Sequence, residues 1–218
     1  MQERPSRTEL PGEEQKGIAI ALVSVLLIVV ISAMTYSRNL LWQDPIKLWE
    51  NTVTKSPKKA RVRYNLAKIY EARGYLDQAE KNYKTAIELK PDYVQAHNNL
   101  GNLHVTRGNF EDAIGEFQAA LKLKPDAPLP HDNLGYIYFQ QGRLNEAIRE
   151  YRTALEIAPD SAEIHNNLGY AYFTQGRFDE AGEEFRTALK LKPDFPAARQ
   201  NAELLAEAMS REHRREDR

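Results

Sequence analysis

The chain has 218 residues, 42% apolar and 28% charged, enough apolar material to bury a core and not the composition of a disordered protein. A formal net charge of -1 gives no electrostatic footprint for nucleic acid as a partner, and the absence of cysteine excludes disulfide frameworks, thiolate nucleophiles and cysteine-based zinc sites.

Residues 1–16 form a polar tail with Glu3, Glu9, Glu13 and Glu14. Residues 17–37, GIAIALVSVLLIVVISAMTYS, carry no charged side chain. At about 1.5 Å per residue, a helix of roughly 20 residues crosses the ~30 Å hydrocarbon layer, so this run reads as one transmembrane helix. A signal peptide would have an apolar region of about 7–15 residues, a basic start and a small-residue cleavage site; none of these fits, and the anchor reads as uncleaved. The basic residues flanking the span tie, with Arg4, Arg7 and Lys16 before it and Arg38, Lys47 and Lys55 after it. Lys58, Lys59, Arg61 and Arg63 tip the count towards a cytoplasmic C-terminal domain, but long domains translocate largely regardless of charge, so charge leaves the orientation open.

Residues 38–56 read as a juxtamembrane half-repeat. Asp44-Pro45 has the form of an N-cap followed by proline at the first helical position, and Trp49 stands one period of the later repeats before Tyr83. The missing partner helix would lie in the span itself, with Trp42 at the membrane interface.

From there to residue 193 the chain is periodic. Pro57, Pro91, Pro125, Pro159 and Pro193 are evenly spaced by 34, the signature of a repeat array. Leu66, Leu100, Leu134 and Leu168 share one position, followed by Ala67, Gly101, Gly135 and Gly169, small residues that allow close helix approach. Gly74, Gly108, Gly142 and Gly176 suit the positive φ that ends a first helix. A second helix is expected to open at Asp77, Glu111, Asn145 and Asp179. Its buried face repeats alanine, an aromatic (Tyr83, Phe117, Tyr151, Phe185) and alanine at helical spacing. Four helix hairpins result, at about 60–93, 94–127, 128–161 and 162–195. Residues 196–218 read as a capping helix and a frayed charged tail.

These residues resemble the tetratricopeptide repeat family, whose pattern of Leu-Gly, Tyr, Gly, Ala, aromatic, Ala and Pro they follow over 57–193. The resemblance implies an all-α fold, a right-handed superhelical solenoid of helix hairpins, here preceded by one transmembrane helix. One departure is the early Trp position, filled by Arg63, His97, His131 and His165, which predicts a more polar packing site.

The equivalent histidines raise a metal site. Packed helices lie about 8–10 Å apart, whereas zinc ligands bind within ~2.1 Å, so they read as packing residues, as does His104. No catalytic residue, metal site or cofactor is assigned, and the chain reads as a non-enzyme.

The first helices carry the candidate binding surface. Asn65, Asn99, Asn133, Asn167 and Asn201 recur once per period without a gap. An amide both donates and accepts, so a row of them could hold a peptide backbone, or could bond only locally. The row resembles the asparagine ladder of the O-linked N-acetylglucosamine transferases, including the HNNLGN wording. Beside it lie Asn98, Asn102, Asn166, Tyr136, Phe139, Tyr170 and Phe173, as peptide contacts or as packing against the next repeat. With Arg61, Lys68 and Glu71 in the first repeat, the groove is expected to be charged near the membrane and aromatic far from it.

The segment SRNLLWQDPIKLWENTVTKSPKKARVRYNLAKIY resembles the junction of membrane glycosyltransferase-like repeat proteins, including the transmembrane and tetratricopeptide-repeat O-mannosyltransferases. That resemblance implies repeats on the extracytoplasmic, periplasmic side. The expected function is a membrane-tethered scaffold holding an extended protein segment in a concave groove, with a detached module of a glycosyltransferase system as the alternative.

Overall fold

The computed structural model describes residues 11–216, with side-chain surroundings defined for 16–18, 20, 22–37 and 44–212. The chain forms two units, Met1–Lys55 and Ser56–Arg218. Among the described residues there are eleven helices and no strand.

The N-terminal unit contains α1 (Pro11–Gln43) and α2 (Pro45–Lys55). Within α1 the 22-residue stretch Lys16–Ser37 contains an 18-residue window with a mean hydropathy of 2.9, 0% of it buried, so one helix among the described residues is long and apolar enough to cross a membrane. Two of its serine hydroxyls turn back onto the helix, Ser24 to the Ile20 carbonyl at 2.9 Å and Ser37 to that of Met34 at 3.0 Å, which removes these two as free polar groups on an apolar surface. The helix does not stop at the span's edges. It starts inside the segment expected as a tail and runs through the first residues expected as a half-repeat, because nothing between Pro11 and Pro45 breaks it. Pro45 ends it, and Asp44 starts α2 as an N-cap, its Oδ1 accepting from the Ile46 and Lys47 amides at 3.0 and 3.4 Å. The Trp42 side chain lies outside the described residues.

The second unit alternates short helices: α3 (Ala60–Ala72), α4 (Leu76–Leu89), α5 (Val94–Thr106), α6 (Phe110–Leu123), α7 (Pro128–Gln140), α8 (Leu144–Ile157), α9 (Ala162–Thr174), α10 (Phe178–Leu191) and α11 (Pro196–Glu216). Each pairs with its neighbour in sequence, making four hairpins and a cap stacked as a solenoid. A Schellman turn closes every first helix. In the fourth hairpin the Gly176 amide donates to the Phe173 carbonyl at 3.0 Å and the Arg177 amide to that of Tyr172 at 2.9 Å, with Gly176 at φ 78°. The second helices begin one residue earlier than expected, at Leu76, Phe110, Leu144 and Phe178, and none has a side-chain cap bond. Asp77, Glu111, Asn145 and Asp179 therefore sit inside the first turn, where the acidic ones still favour the positive end of the helix dipole.

The hairpins close by seating a ring on a small residue. Tyr83, Phe117, Tyr151 and Phe185 are at most 2% exposed. A Cβ added at Gly101 would lie 2.6 Å from Phe117, at Gly135 2.7 Å from Tyr151 and at Gly169 2.7 Å from Phe185. The small residues thus make room for a ring of the facing helix rather than for its backbone. Complete burial of such a ring contributes about 1.5–3 kcal/mol. At the C-terminal end α11 packs on α9 and α10, burying Ala198 and Leu205, and it continues helical through Glu216 where a frayed tail was expected.

Two glycines of one repeat separate these demands. Gly169→Ala drives a methyl group into Phe185 and is expected to cost about 1–3 kcal/mol, recovered in part by Phe185→Leu. Gly176→Ala meets no atom within 4 Å and is expected to cost about 1–2 kcal/mol through its left-handed backbone alone, relieved in part by asparagine at that position. Urea unfolding followed by far-ultraviolet circular dichroism measures both.

Candidate functional site

The first helices form one layer: α5 meets α7, α7 meets α9 and α9 meets α11. The asparagine row lies along this layer, and its amide nitrogens are engaged within the protein. Asn99 Nδ2 donates to the Tyr64 hydroxyl at 3.1 Å, Asn133 Nδ2 to Asn98 Oδ1 at 3.3 Å, Asn167 Nδ2 to Asp132 Oδ1 at 3.1 Å and Asn201 Nδ2 to Asn166 Oδ1 at 2.9 Å. Each acceptor is the residue just before the preceding repeat's asparagine. Asn133 also donates to Asn102 Oδ1 at 2.8 Å. The row therefore ties repeat to repeat, and Asn65, at its head, shows no such bond among the described residues. The amide oxygens of Asn133, Asn167 and Asn201 make no hydrogen bond among the described residues and are not sealed from solvent, so the row presents acceptors.

The two ends of the layer differ. In the first two repeats its own side chains fill it: the Tyr64 ring lies 5.9 Å from Tyr83 and 5.0 Å from Tyr93, with Lys68 Nζ 5.8 Å above it. The Tyr83 hydroxyl donates to Glu71 Oε2 at 2.5 Å and accepts from Asn99. Burial, reinforced by Glu71, pushes the Tyr83 phenol far above its ordinary range. The end expected to be charged thus turns Lys68 and Glu71 onto this tyrosine cluster.

In the third and fourth repeats the layer opens into a pocket of about 200 Å³ lined by Tyr136, Phe139, Gln140, Tyr151, Asn166, Asn167, Tyr170 and Asn201. No charged side chain lines it. Asp132, beneath Asn167, has its carboxyl pushed up by burial against the opposing hydrogen bond from Asn167. The aromatics pack in part against the next repeat. Phe139 touches Tyr170 across the repeat boundary at 5.4 Å, and Phe173 stacks on Tyr170 at 6.2 Å, outside the pocket. Tyr136 and Tyr170 remain 43% and 39% exposed.

The histidines pair with carboxylates. His97, His131 and His165 place Nδ1 2.7, 2.7 and 2.5 Å from Glu116, Glu150 and Glu184 on the second helix of the same hairpin. These glutamates recur with the repeat period, a signal present in the sequence but hidden among surface acids. His104 is buried as expected, with its Nδ1 unpaired among the described residues.

Removing a ladder amide is expected to act first on the fold. Asn133→Ala strands the Asn102 oxygen and should cost about 0.5–1.5 kcal/mol in urea unfolding, whereas Asn65→Ala should change little.

Comparison with known proteins agrees with this geometry. Tetratricopeptide repeat models match residues 64–128 and 162–195, and a TPR repeat model matches 135–176, together more than half of the chain. The curated Protein O-mannosyl-transferase F38B6.6 of Caenorhabditis elegans is 35% identical over 72 residues, 33% of this chain; the chain spans only 10% of that relative's length. Among solved structures, TTC0263, a thermophilic TPR protein of Thermus thermophilus, superposes with a TM-score of 0.63 at 22% identity, covering 81% of this chain and 95% of that one. The APC/C hetero-tetramer Cut9-Hcn1 superposes with a TM-score of 0.67 at 23% identity, over 76% of this chain and 33% of that one. At these identities the likeness is one of fold. Repeats of this kind make a protein-interaction scaffold. By its matched models, its 34-residue period and its stacked hairpins, the chain belongs to the tetratricopeptide repeat family.

Proposed function

We propose that the protein is a non-catalytic, membrane-tethered adaptor that holds an extended segment of a partner protein along its first-helix layer, with one uncharged side chain of that segment seated in the pocket of the third and fourth repeats. The observation that carries this reading is the pocket itself. Its volume of about 200 Å³ is below the ~300–1,000 Å³ of small-molecule sites and suits a single side chain. Exposed tyrosines at its mouth are the residue type that anchors interfaces, and the neutral lining would leave an incoming charge unpaired. The acceptor row beside it complements the backbone N–H groups of an extended chain. Tethering rests on Lys16–Ser37 of α1, and the junction resemblance favours repeats outside the cytoplasm.

Affinity capture from native membranes with the full chain as bait tests the reading. Replacing Tyr136 and Tyr170 together by serine is expected to weaken partner binding about 10-fold or more while the repeats still unfold cooperatively in urea, because both rings are partly exposed and neither belongs to the buried core. Unchanged affinity would move binding to another surface. Retention of the protein in membranes through alkaline carbonate, with the repeats digested by protease added to intact spheroplasts, is the outcome expected of the anchor and its direction.

The 35% identity to an O-mannosyl-transferase over 72 residues favours one second reading, a repeat module working beside a membrane glycosyltransferase. Recovery of such an enzyme as the main captured partner would select it.

A further inference from the structure

Two of the four seated rings are tyrosines, and their hydroxyls meet opposite circumstances. In the first repeat the Tyr83 hydroxyl is paired on both sides, donating to Glu71 Oε2 at 2.5 Å and accepting from Asn99 Nδ2 at 3.4 Å. Two repeats on, the same register puts Tyr151 in the place of Tyr83, Phe139 in that of Glu71 and Asn167 in that of Asn99. Phe139 offers no acceptor, and the Asn167 amide is turned to Asp132 Oδ1 at 3.1 Å. The Tyr151 hydroxyl therefore has no hydrogen-bond partner among the described residues, although the residue is only 2% exposed. It is not sealed within the core, because Tyr151 lines the pocket of the third and fourth repeats. A buried phenol ordinarily finds a partner, and leaving one without it is costly. Burial, with the fields of Asp132 and Tyr136, pushes this phenol up, so it keeps its proton and stays a donor.

We propose that this pocket takes a primary carboxamide, the side chain of a glutamine in the partner segment, whose carbonyl oxygen accepts from the Tyr151 hydroxyl as the Glu71 carboxylate accepts from Tyr83. The inference rests on the reading of the pocket as a side-chain site and names the side chain. Two kinds of polar group are left over in the pocket: the Tyr151 O–H, which donates, and the amide oxygens of Asn167 and Asn201, which accept. A carboxamide carries an oxygen acceptor and an NH2 donor on one planar group, so it meets both. A carboxylate only accepts; it would satisfy Tyr151 but face the asparagine oxygens and the buried Asp132 carboxyl with no cation in the lining. An ammonium only donates and leaves the phenol's proton unmet. An apolar side chain would shut water out and leave every one of these groups unpaired. The rings of Tyr136, Phe139 and Tyr170 offer apolar surface to the methylene groups that carry the amide of a glutamine.

The test uses the full chain in nanodiscs and three sets of capped heptapeptides, with glutamine, glutamate or leucine fixed at the centre and mixed residues elsewhere. Peptides retained by the protein should be enriched about tenfold or more in central glutamine over either rival. Tyr151→Phe removes one oxygen that bonds to nothing in the protein, and phenylalanine already fills the same position as Phe117 and Phe185. The variant should therefore unfold in urea much as the unmodified protein does. It should weaken the selected glutamine peptide by about 2- to 13-fold, the worth of one hydrogen bond, and leave leucine peptides unaffected. In protein labelled with carbon-13 at the tyrosine ring carbon that bears oxygen, the Tyr151 signal should move when the glutamine peptide is added and the Tyr83 signal should stay. Equal or greater retention of leucine peptides, or a full glutamine preference that survives Tyr151→Phe, would overturn the carboxamide. If the retained peptides are then lost on replacing Tyr136 and Tyr170 by serine, the groove reading stands without it; if they survive that change as well, the groove reading falls too.

Discussion

The solenoid depends on the seating of one aromatic ring per hairpin against a residue with little or no side chain. Phe117 against Gly101, Tyr151 against Gly135 and Phe185 against Gly169 bring the two helices of a hairpin close enough that no Cβ fits between them. In the first repeat Ala67 takes the glycine's place beside Tyr83 and is itself fully buried. Because the contact recurs with every repeat, the geometry within each hairpin recurs too, and equivalent hairpins stack as a solenoid. The positive-φ glycines set where each first helix stops, and the seated ring sets how closely the second helix packs against it.

Polar contacts then lock one hairpin to the next in a way that apolar packing alone would leave free to slide. On the first-helix layer, each ladder asparagine from Asn99 onward donates to the residue before its predecessor. Elsewhere, Arg107 donates back to Asp77 and Glu80 of the preceding hairpin, and Gln175 Nε2 donates to Asn145 Oδ1 at 2.7 Å. Buried hydrogen-bonded groups of this kind contribute modestly each but are costly to leave unpaired, so they specify register more than they add stability. The same pairing shapes the candidate binding surface: donors are engaged between repeats, and acceptors and two exposed tyrosines are left over.

The N-terminal unit follows a different rule. Apolar side chains of α1 such as Ile18, Leu22 and Leu26 are more than 60% exposed, a surface that water does not tolerate along a whole helix. In the tethered arrangement proposed above, the hydrocarbon layer supplies the missing apolar contact, and the hydroxyls of Ser24 and Ser37 are already satisfied by the helix's own carbonyls.

The amino-acid sequence by itself determined the period, the hairpin architecture, the glycine turns and the one long apolar helix, because each rests on local backbone preference or on spacing along one helix. It also placed Asn65, Asn99, Asn133, Asn167, Asn201, Tyr136, Phe139 and Tyr170 on a single layer. What those side chains touch was decided only by tertiary structure. The 35-residue offset between a ladder amide and its acceptor, the nineteen-residue offset between histidine and glutamate, and the filled tyrosine end facing an open pocket all arise between helices. A periodic sequence shows which residues are equivalent, but hydrogen bonds between helices depend on the distance and angle at which two faces meet, and those are fixed by how deeply each ring sinks into its neighbour.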